Sequence, residues 1–426
     1  MPARRMRVRP PNGSVPNRNK NNNRSSGSVT FLNRDRRNVL VLATCQMLFG
    51  TGRSMIVLTA PLIAYGLMQE KTLATLPHAL VIVGTALLTL PASLLMRQLG
   101  RRYGFALGAL IGSVGGGICI LAIYRVDFWL FCLGTLFFGA AAGFAQHYRF
   151  AAADVAPLDF RGKAISLVLA GGVAAGVLGP ELSYVAKDWI SSNEFLGVYI
   201  VLIFLTLSTA GVVMLVDIPG LTEAESKVDP RPMKIIMRQP VFIVAVLATA
   251  VSQAVMNLMM TATPIAMHEA HHTFADTVWV IEWHSVGMFA PGFFTGSLVK
   301  RWGEIPLIIA GLALIAVSVG FAVAGETVTL FWASMALLGL GWNFSFTAGS
   351  SLLIQAHTPG ERAKTQGMVN FLIYGGAAIA ALSSGGLLHF LGWKWVNWVG
   401  LPLLAIAMAV TIWFALTQRE NSQAAE

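Results

Sequence analysis

Long apolar runs alternate with short polar stretches along almost the whole chain. Twelve runs reach the length of about 20 residues that a helix needs to cross the hydrocarbon core of a bilayer. The runs cover 39–62, 76–96, 104–124, 128–150, 163–186, 195–216, 240–264, 275–299, 304–324, 328–354, 365–390 and 395–417. The pattern predicts an all-α membrane protein of about twelve transmembrane helices, which we number as segments 1 to 12.

The longest polar break after the N-terminal tail divides the segments six and six. It predicts two six-helix bundles that are joined by a linker. The predicted regions are a disordered basic tail (1–37), a first bundle (38–216), the linker (217–239), a second bundle (240–417) and a C-terminal tail (418–426). Since each bundle has an even number of segments, both bundles begin on the same side of the membrane and run parallel.

The two bundles repeat in sequence at a spacing of 203 or 204 residues. The matched pairs are SLLMRQLG at 93–100 with GSLVKRWG at 296–303, Pro61 with Pro264, and Gly171-Gly172 with Gly375-Gly376. Parallel repeats are typical of transporters that rock one bundle against the other around a site at the membrane midplane. The repeat therefore favours a secondary transporter for a small solute.

Composition agrees with lipid as the solvent, since only 12% of the residues are charged, against about 25% in soluble domains. With the N-terminus inside, twenty-four of the thirty Lys and Arg lie in inside loops or tails and four in outside loops. Positive charge marks the cytoplasmic side. We therefore predict a multi-pass protein of the cell inner membrane with both termini cytoplasmic. The basic tail is expected to contact anionic lipid, and no nucleic-acid partner is expected.

The loop between segments 2 and 3 reads Ser93-x-x-x-Arg97-Gln98-x-Gly100-Arg101-Arg102. It resembles the G-x-x-x-D-R-x-G-R-K loop of the major facilitator superfamily, with Arg97 in place of the Asp. The resemblance covers the chain after residue 38 and implies alternating access without a cofactor. It also implies an inner latch between Asp154 and Arg97 or Arg101. The full set of implied gating residues is Arg97, Arg101, Arg102, Asp154, Arg161, Lys300 and Arg301.

Three further stretches resemble one bacterial branch of this superfamily, associated with riboflavin-type vitamin importers. They are HYRFAAAD at 147–154, GWNF at 341–344 and ERAKTQG at 361–367. The resemblance implies uptake of riboflavin or a similar heterocyclic vitamin. Two alternatives stay open: proton-coupled efflux of a drug or metabolite, and a membrane sensor that moves no solute.

Arg53 stands near the middle of segment 1. A central Arg costs roughly 2.5–3.5 kcal/mol on insertion scales, so its side chain needs a cavity or a partner. Gln46, Gly50 and Arg53 follow each other at i, i+4 and i+7, which places them on one helix face. The spacing is compatible with contact to a substrate or coupling ion and with a structural charge between helices.

Polar and aromatic side chains also interrupt segments 7, 10 and 11. In the superfamily, segments 1, 4, 7 and 10 line the central cavity, so the resemblance implies that many of these side chains meet there. Such a set suits a planar, hydrogen-bonding heterocycle stacked on aromatic rings, although amides between helices are also ordinary packing contacts. The candidate substrate-binding residues are Gln46, Arg53, Gln253, Asn257, Trp342, Asn343, Phe346, Asn370 and Tyr374.

Three titratable residues lie in the outer halves of segments 5 and 8, which face each other in this superfamily. Glu181, Glu282 and His284 are therefore candidate proton carriers, with an interhelical hydrogen bond as the structural alternative. Glu181 has no acidic counterpart in the repeat, where Gly385 stands. The scaffold itself therefore does not require this carboxylate.

His268-Glu269-Ala270-His271-His272 matches the H-E-x-x-H signature of zinc proteases. That chemistry needs both His side chains on one helix face and a third ligand. The match falls in a predicted outside loop without a clear third ligand, and we interpret it as coincidence. The sequence lacks a Walker A loop and other cofactor fingerprints, and we expect neither an enzyme nor a metal site.

Overall fold

The computed structural model describes residues 25–68, 71–156, 161–191, 193–218, 231–358 and 361–423. The first half contains α1 (Ser25–Leu67), α2 (Leu76–Leu99), α3 (Arg101–Arg125), α4 (Phe128–Ala145), α5 (Tyr148–Val155), α6 (Arg161–Ala186) and α7 (Leu196–Val213). The second half contains α8 (Met233–Met237), α9 (Pro240–Glu269), α10 (Phe274–Phe289), α11 (Gly292–Trp302), α12 (Glu304–Ala324), α13 (Val328–Leu353), α14 (Arg362–Leu391), α15 (Trp393–Trp398) and α16 (Gly400–Gln423). Short 3₁₀ turns cover Lys71–Leu73 and Ile354–Ala356.

Eleven helices in the described part of the chain are long and apolar enough to cross a membrane. Predicted segment 8 is the twelfth, and it is divided into α10 and α11 at Ala290-Pro291. Proline cannot donate the backbone hydrogen bond that would continue α10 through this point. The predicted all-α fold of about twelve crossings is thus confirmed, with one crossing made of two shorter helices.

α1 begins at Ser25, well inside the predicted tail, while residues 1–24 lie outside the described part of the chain. Near its start α1 is tied to the end of the first half. Arg34 forms an ion pair with Asp217, and the Asn38 Nδ2 donates to the Asp217 carbonyl oxygen at 2.7 Å. The first helix therefore extends beyond the predicted membrane boundary.

The packing of the two halves follows the sequence repeat. α1 packs on α6 as α9 packs on α14, and α4 lies against α2 and α3 as α13 lies against α10 and α12. Gly100 and Gly303, 203 residues apart, both have a left-handed φ, of +84° and +85°. A glycine adopts this conformation without the steric cost that a Cβ would add. Each half also has its own large apolar core.

Because the number of crossings is even, the start of α1 and the end of α16 lie at the same end of the bundle, which we call the termini side. We call the other end the distal side. The halves meet along three helix pairs, α6 with α10, α2 with α14, and α1 with α9. These three contacts surround the space between the halves and position the candidate site.

Candidate functional site

A cavity of about 210 Å³ lies between the two halves. Its walls come from α1, α2, α4, α5 and α6 on one side and from α9, α10, α13 and α14 on the other. The cavity brings together seven of the nine candidate substrate-binding residues. They are Gln46, Arg53, Gln253, Asn257, Trp342, Phe346 and Tyr374.

The wall contributed by the second half is aromatic and hydrogen-bonded. The Trp342 and Phe346 rings are stacked with centroids 4.8 Å apart and planes at 21°. The Trp342 Nε1 donates to the Gln253 Oε1 at 2.8 Å, which fixes the indole against α9. The Asn257 Nδ2 donates to the Gln253 carbonyl oxygen one turn earlier. Met260 is one of three methionines that complete this wall, and flexible thioethers adapt to ligand shape.

The wall contributed by the first half is polar and positively charged. Arg53 is exposed to the cavity, and no Asp or Glu of the described chain forms an ion pair with it. His78, Gln146 and Arg149 also line this wall. The lining residues, all within the described chain, include no Asp or Glu. The cavity therefore favours a ligand that offers hydrogen-bond acceptors or negative charge.

Two predicted cavity residues lie elsewhere. Asn343 is 5% exposed. Its Nδ2 donates to the Met288 carbonyl oxygen at 2.6 Å, and its Oδ1 accepts from the Thr295 hydroxyl at 2.6 Å. Asn343 therefore holds α13 against α10 and α11. This agrees with the alternative interpretation, in which amides between helices are packing contacts. Asn370 is half-buried on α14 and is not among the residues that line the cavity.

Three large polar residues that line the cavity, His78, Gln146 and Arg149, were not among the candidate substrate-binding residues. His78 is the only His in the apolar run of segment 2, and a polar residue inside such a run was a signal that could have identified it. Gln146 directly follows α4 and Arg149 lies in the first turn of α5, where no helical spacing linked them to the other candidates. Their position at the cavity depends on how α5 packs against α1 and α6.

Aromatic contacts close the cavity on the distal side. Phe274, at the start of α10, is packed against the apolar core of the first half. Its ring is stacked at 6.5 Å from Tyr184 and packs edge-on at 5.5 Å from Phe195. The Lys187 Nζ lies 5.1 Å from the Phe274 ring centroid. One side chain of the second half is thus held between three residues of the first.

A second distal contact joins the ends of α1 and α9. The rings of Tyr65 and His268 meet edge-on with centroids 5.8 Å apart. The two residues stand at corresponding positions of the repeat, 203 residues apart. Tyr65 also interacts with Glu269, and the Lys71 Nζ lies 4.4 Å from the Tyr65 ring centroid.

Glycines allow the halves to approach closely, at Gly176 beside the cavity and at Gly385 on the distal side. A Cβ built on Gly176 of α6 would lie 2.5 Å from the Ser285 Cβ of α10. A Cβ on Gly385 of α14 would lie 2.6 Å from the Thr75 Oγ1, which accepts from the Gly385 N–H at 3.1 Å. Both distances are shorter than van der Waals contact. The closed distal side therefore requires glycine at these two positions.

The three candidate proton carriers separate into two places. The Glu181 and Glu282 carboxyl groups are electrostatic neighbours across the boundary between α6 and α10, and the Glu282 Oε1 has no hydrogen-bond partner among the described residues. His284 is fully buried within the second half, where its Nδ1 lies 2.8 Å from the Met335 carbonyl oxygen. Because a carbonyl only accepts, this nitrogen donates. The structure thus brings the two carboxyl groups together, and His284 joins α10 to α13.

The predicted gating residues gather at the termini side. Arg101 is half-buried, while Arg102, Lys300 and Arg301 are exposed. The side chains of Arg97, Asp154 and Arg161 are outside the described part of the structure, and so is the predicted inner latch.

A well-defined ion pair on the termini side fastens the end of the linker. The Arg231 Nε and NH2 donate to the two oxygens of Glu361 at 2.6 and 2.7 Å, and the Thr358 N–H donates to the same carboxylate at 2.9 Å. These donors hold the pKa of Glu361 well below its usual range. The linker is therefore anchored to the second half just before α8.

The histidine motif does not assemble a metal site. His268 stands in the last turn of α9, and His271 follows with a left-handed φ of +61°. The His272 Nε2 then lies 2.6 Å from the Glu326 carbonyl oxygen, away from the Tyr65 ring that His268 contacts. No group of three or more potential metal ligands is present in the described residues.

The tandem halves and the cavity between them are the architecture of a membrane solute carrier. Two sequence matches to the family model of the Major Facilitator Superfamily, over residues 42–281 and 245–426, identify the family. The chain belongs to this superfamily, as its loop motifs had indicated. It is a multi-pass membrane transporter of a small molecule and not an enzyme.

Individual proteins of known sequence or structure are also similar to this chain. The chain is 38% identical over 379 residues to the riboflavin transporter RfnT of Brucella anthropi, covering 88% of this chain and 95% of that protein. It is 29% identical over 401 residues to the uncharacterized MFS-type transporter YdeG of Bacillus subtilis, covering 89% and 92%. The crystal structure of the human organic anion transporter MFSD10 has a similar fold, with a TM-score of 0.65 at 13% identity, covering 88% of this chain and 99% of that one.

Proposed function

We propose that the protein takes up riboflavin or a closely similar planar vitamin across the cell inner membrane by alternating access. The observation that carries this proposal is the stack of Trp342 and Phe346, fixed by Gln253, in the central cavity. The chain is 38% identical to a riboflavin transporter over nearly the whole length of that protein, and this similarity supports riboflavin as the substrate.

The chemistry of riboflavin suits this cavity. The isoalloxazine ring is flat, so it can stack on an indole and gain about 1–3 kcal/mol, as bases do on aromatic side chains. Its edge carries carbonyl oxygens and ring nitrogens that accept hydrogen bonds from amide and guanidinium donors. Gln46, Arg53 and Asn257 supply such donors around the stack.

The orientation follows from the distribution of positive charge. We place both termini in the cytoplasm because the basic residues concentrate in the tail and the loops of the termini side. The distal side then faces outward, and the described conformation is the one closed to the outside. Substrate released from this conformation enters the cytoplasm.

Proton coupling is assigned to Glu181 and Glu282. Two carboxyl groups in contact repel each other when both are ionised, so a shared proton stabilises their contact. Protonation from the outside would therefore favour the closed distal side and carry a proton inward with the substrate. His284 has a structural role in this scheme, because its Nδ1 is committed to a carbonyl within the second half.

Uptake of labelled riboflavin in an auxotrophic strain tests the proposed substrate. The intact protein should restore growth at low external vitamin, and the Trp342→Ala variant should raise the half-saturating concentration about fivefold to over a hundredfold, because one stacking contact is lost. Trp279→Ala is the matched control, since Trp279 stacks on Trp332 within the second half.

Counterflow in proteoliposomes separates uptake from the alternatives. Exchange of riboflavin is expected from the purified protein. If riboflavin does not exchange while an unrelated drug does, an efflux function replaces the proposal. A protein that exchanges no solute across a broad panel would instead fit a membrane sensor.

A further inference from the structure

One buried polar side chain at the cavity has no role in the function proposed above. His78 of α2 is 5% exposed and lines the cavity, and its Nδ1 has no hydrogen-bond partner among the described residues. A buried donor or acceptor without a partner destabilises the folded protein. A rotation of the imidazole ring would turn this nitrogen toward the cavity, where a ligand can supply the missing partner.

Arg53 is the charged neighbour of His78, and no carboxylate of the described chain forms an ion pair with it. Its side chain is exposed to the cavity, so a ligand there can reach it. A cation inside a membrane helix is stabilised by strong hydrogen-bond acceptors. The two residues come from neighbouring helices, α1 and α2, and both belong to the first half.

The aromatic stack belongs to the other half. A flat ligand that lies on Trp342 and Phe346 would have its rim free to reach across the cavity toward the first half. The guanidinium group presents parallel donors in one plane, which matches two adjacent acceptors on the rim of a heterocycle. Flexible hydroxyl groups, which donate as well as accept hydrogen bonds, match the parallel donors of the guanidinium group less well.

We infer that Arg53 and His78 form a subsite that recognises the acceptor edge of a planar heterocycle, its carbonyl oxygens and ring nitrogens, while the second half binds the ring face. This inference rests on the proposed function and adds His78 as a specificity-determining residue. It also assigns different tasks to the two halves. The ribityl chain of riboflavin has no essential contact with this subsite.

The test compares four flavins on the purified full-length protein, with Kd measured by quenching of flavin fluorescence. Riboflavin carries both the isoalloxazine ring and the ribityl chain, and lumiflavin lacks the ribityl chain. In 1-deazariboflavin and 5-deazariboflavin one ring nitrogen is replaced by a C–H group. The variants are Arg53→Gln, His78→Phe and the conservative His78→Asn, with Trp342→Leu as a variant of the ring-binding wall.

Arg53→Gln and His78→Phe should weaken riboflavin and lumiflavin by the same factor, about tenfold to a hundredfold. The wild type should discriminate against at least one deaza analogue, and both variants should lose that discrimination. His78→Asn should recover part of it, because an amide restores a polar partner. Trp342→Leu should weaken all four flavins while keeping the discrimination.

Three results would overturn the inference. One is a loss of riboflavin affinity that spares lumiflavin, which would place the ribityl chain at the subsite. Another is an equal loss for all four flavins with His78→Asn no better than His78→Phe, which would indicate a structural role. The third is wild-type affinity in both variants. A wild type that binds none of the four flavins contradicts the proposed function itself.

Discussion

Single residues decide how closely the two halves can approach each other. The Gly176 position faces Ser285 across the boundary between α6 and α10, and a Cβ there would lie 2.5 Å from the Ser285 Cβ. In the sequence Gly176 stands in a helix with several other glycines, and nothing there identifies the residue that it faces. Its role follows from the helix that lies opposite.

Gly176→Ala should therefore disfavour the closed distal side and slow transport. Overpacking of this kind costs roughly 1–3 kcal/mol, which corresponds to a shift of about fivefold to over a hundredfold in the conformational equilibrium. Initial uptake rates should fall accordingly. The Gly176→Ala/Ser285→Gly double variant should recover transport, because the second change removes the clashing Cβ.

Gly386→Ala provides the control, since no atom lies within 4 Å of a Cβ at that position. If Gly176→Ala transports at the wild-type rate, or if the double variant does no better than the single one, the distal contact does not limit the cycle.

At the scale of elements, the start of α10 holds the distal side closed. Phe274 is packed among Tyr184, Lys187 and Phe195, all of which belong to the first half. Aromatic pairs of this geometry contribute about 0.5–1.5 kcal/mol each beyond their buried area. This contact joins the halves near the membrane surface, far from the cavity residues that would bind substrate.

Phe274→Ala should shift the protein toward a conformation that is open on the distal side. Spin labels at Asp188→Cys and Glu326→Cys, both exposed on that side, would report the change as a longer distance between the halves. Trp279→Ala is the control on the same helix, because Trp279 contacts Trp332 within its own half. An unchanged distance distribution in Phe274→Ala would show that other contacts hold the distal side.

At the scale of the whole molecule, the proposed mechanism links proton binding to the movement of the halves through Glu181 and Glu282. In this proposal the two carboxyl groups come together only when the distal side is closed. Raising the pH would then remove the shared proton, so that the two carboxylates repel and the closed conformation loses stability. Lowering the pH would restore the proton and with it the closed conformation.

Glu181→Gln should make transport far less dependent on pH, because an amide can bond to the Glu282 carboxyl group in either protonation state. Uptake rates between about pH 5.5 and 8 should change several-fold in the wild type and little in the variant. Equal profiles for the two proteins would remove this carboxyl pair from the coupling mechanism, and a flat wild-type profile would indicate a uniporter.

The sequence alone determined the twelve crossings, their division into two parallel halves and the family. Lipid imposes these features residue by residue, because each crossing needs a continuous apolar run with its backbone bonded internally. It also indicated seven of the residues that line the cavity, since a cation such as Arg53 inside an apolar run needs a polar surrounding.

Only the tertiary structure decided which polar residues face the cavity and which join helices. A membrane helix is apolar on nearly all faces, so its periodicity does not reveal how it is rotated against its neighbours. For this reason Asn343 was expected at the cavity but holds α13 in place, His284 is separate from the two carboxyl groups, and His78 was missed. The contacts of Phe274 and Gly176 likewise depend on helices distant in sequence, which only the assembled fold brings together.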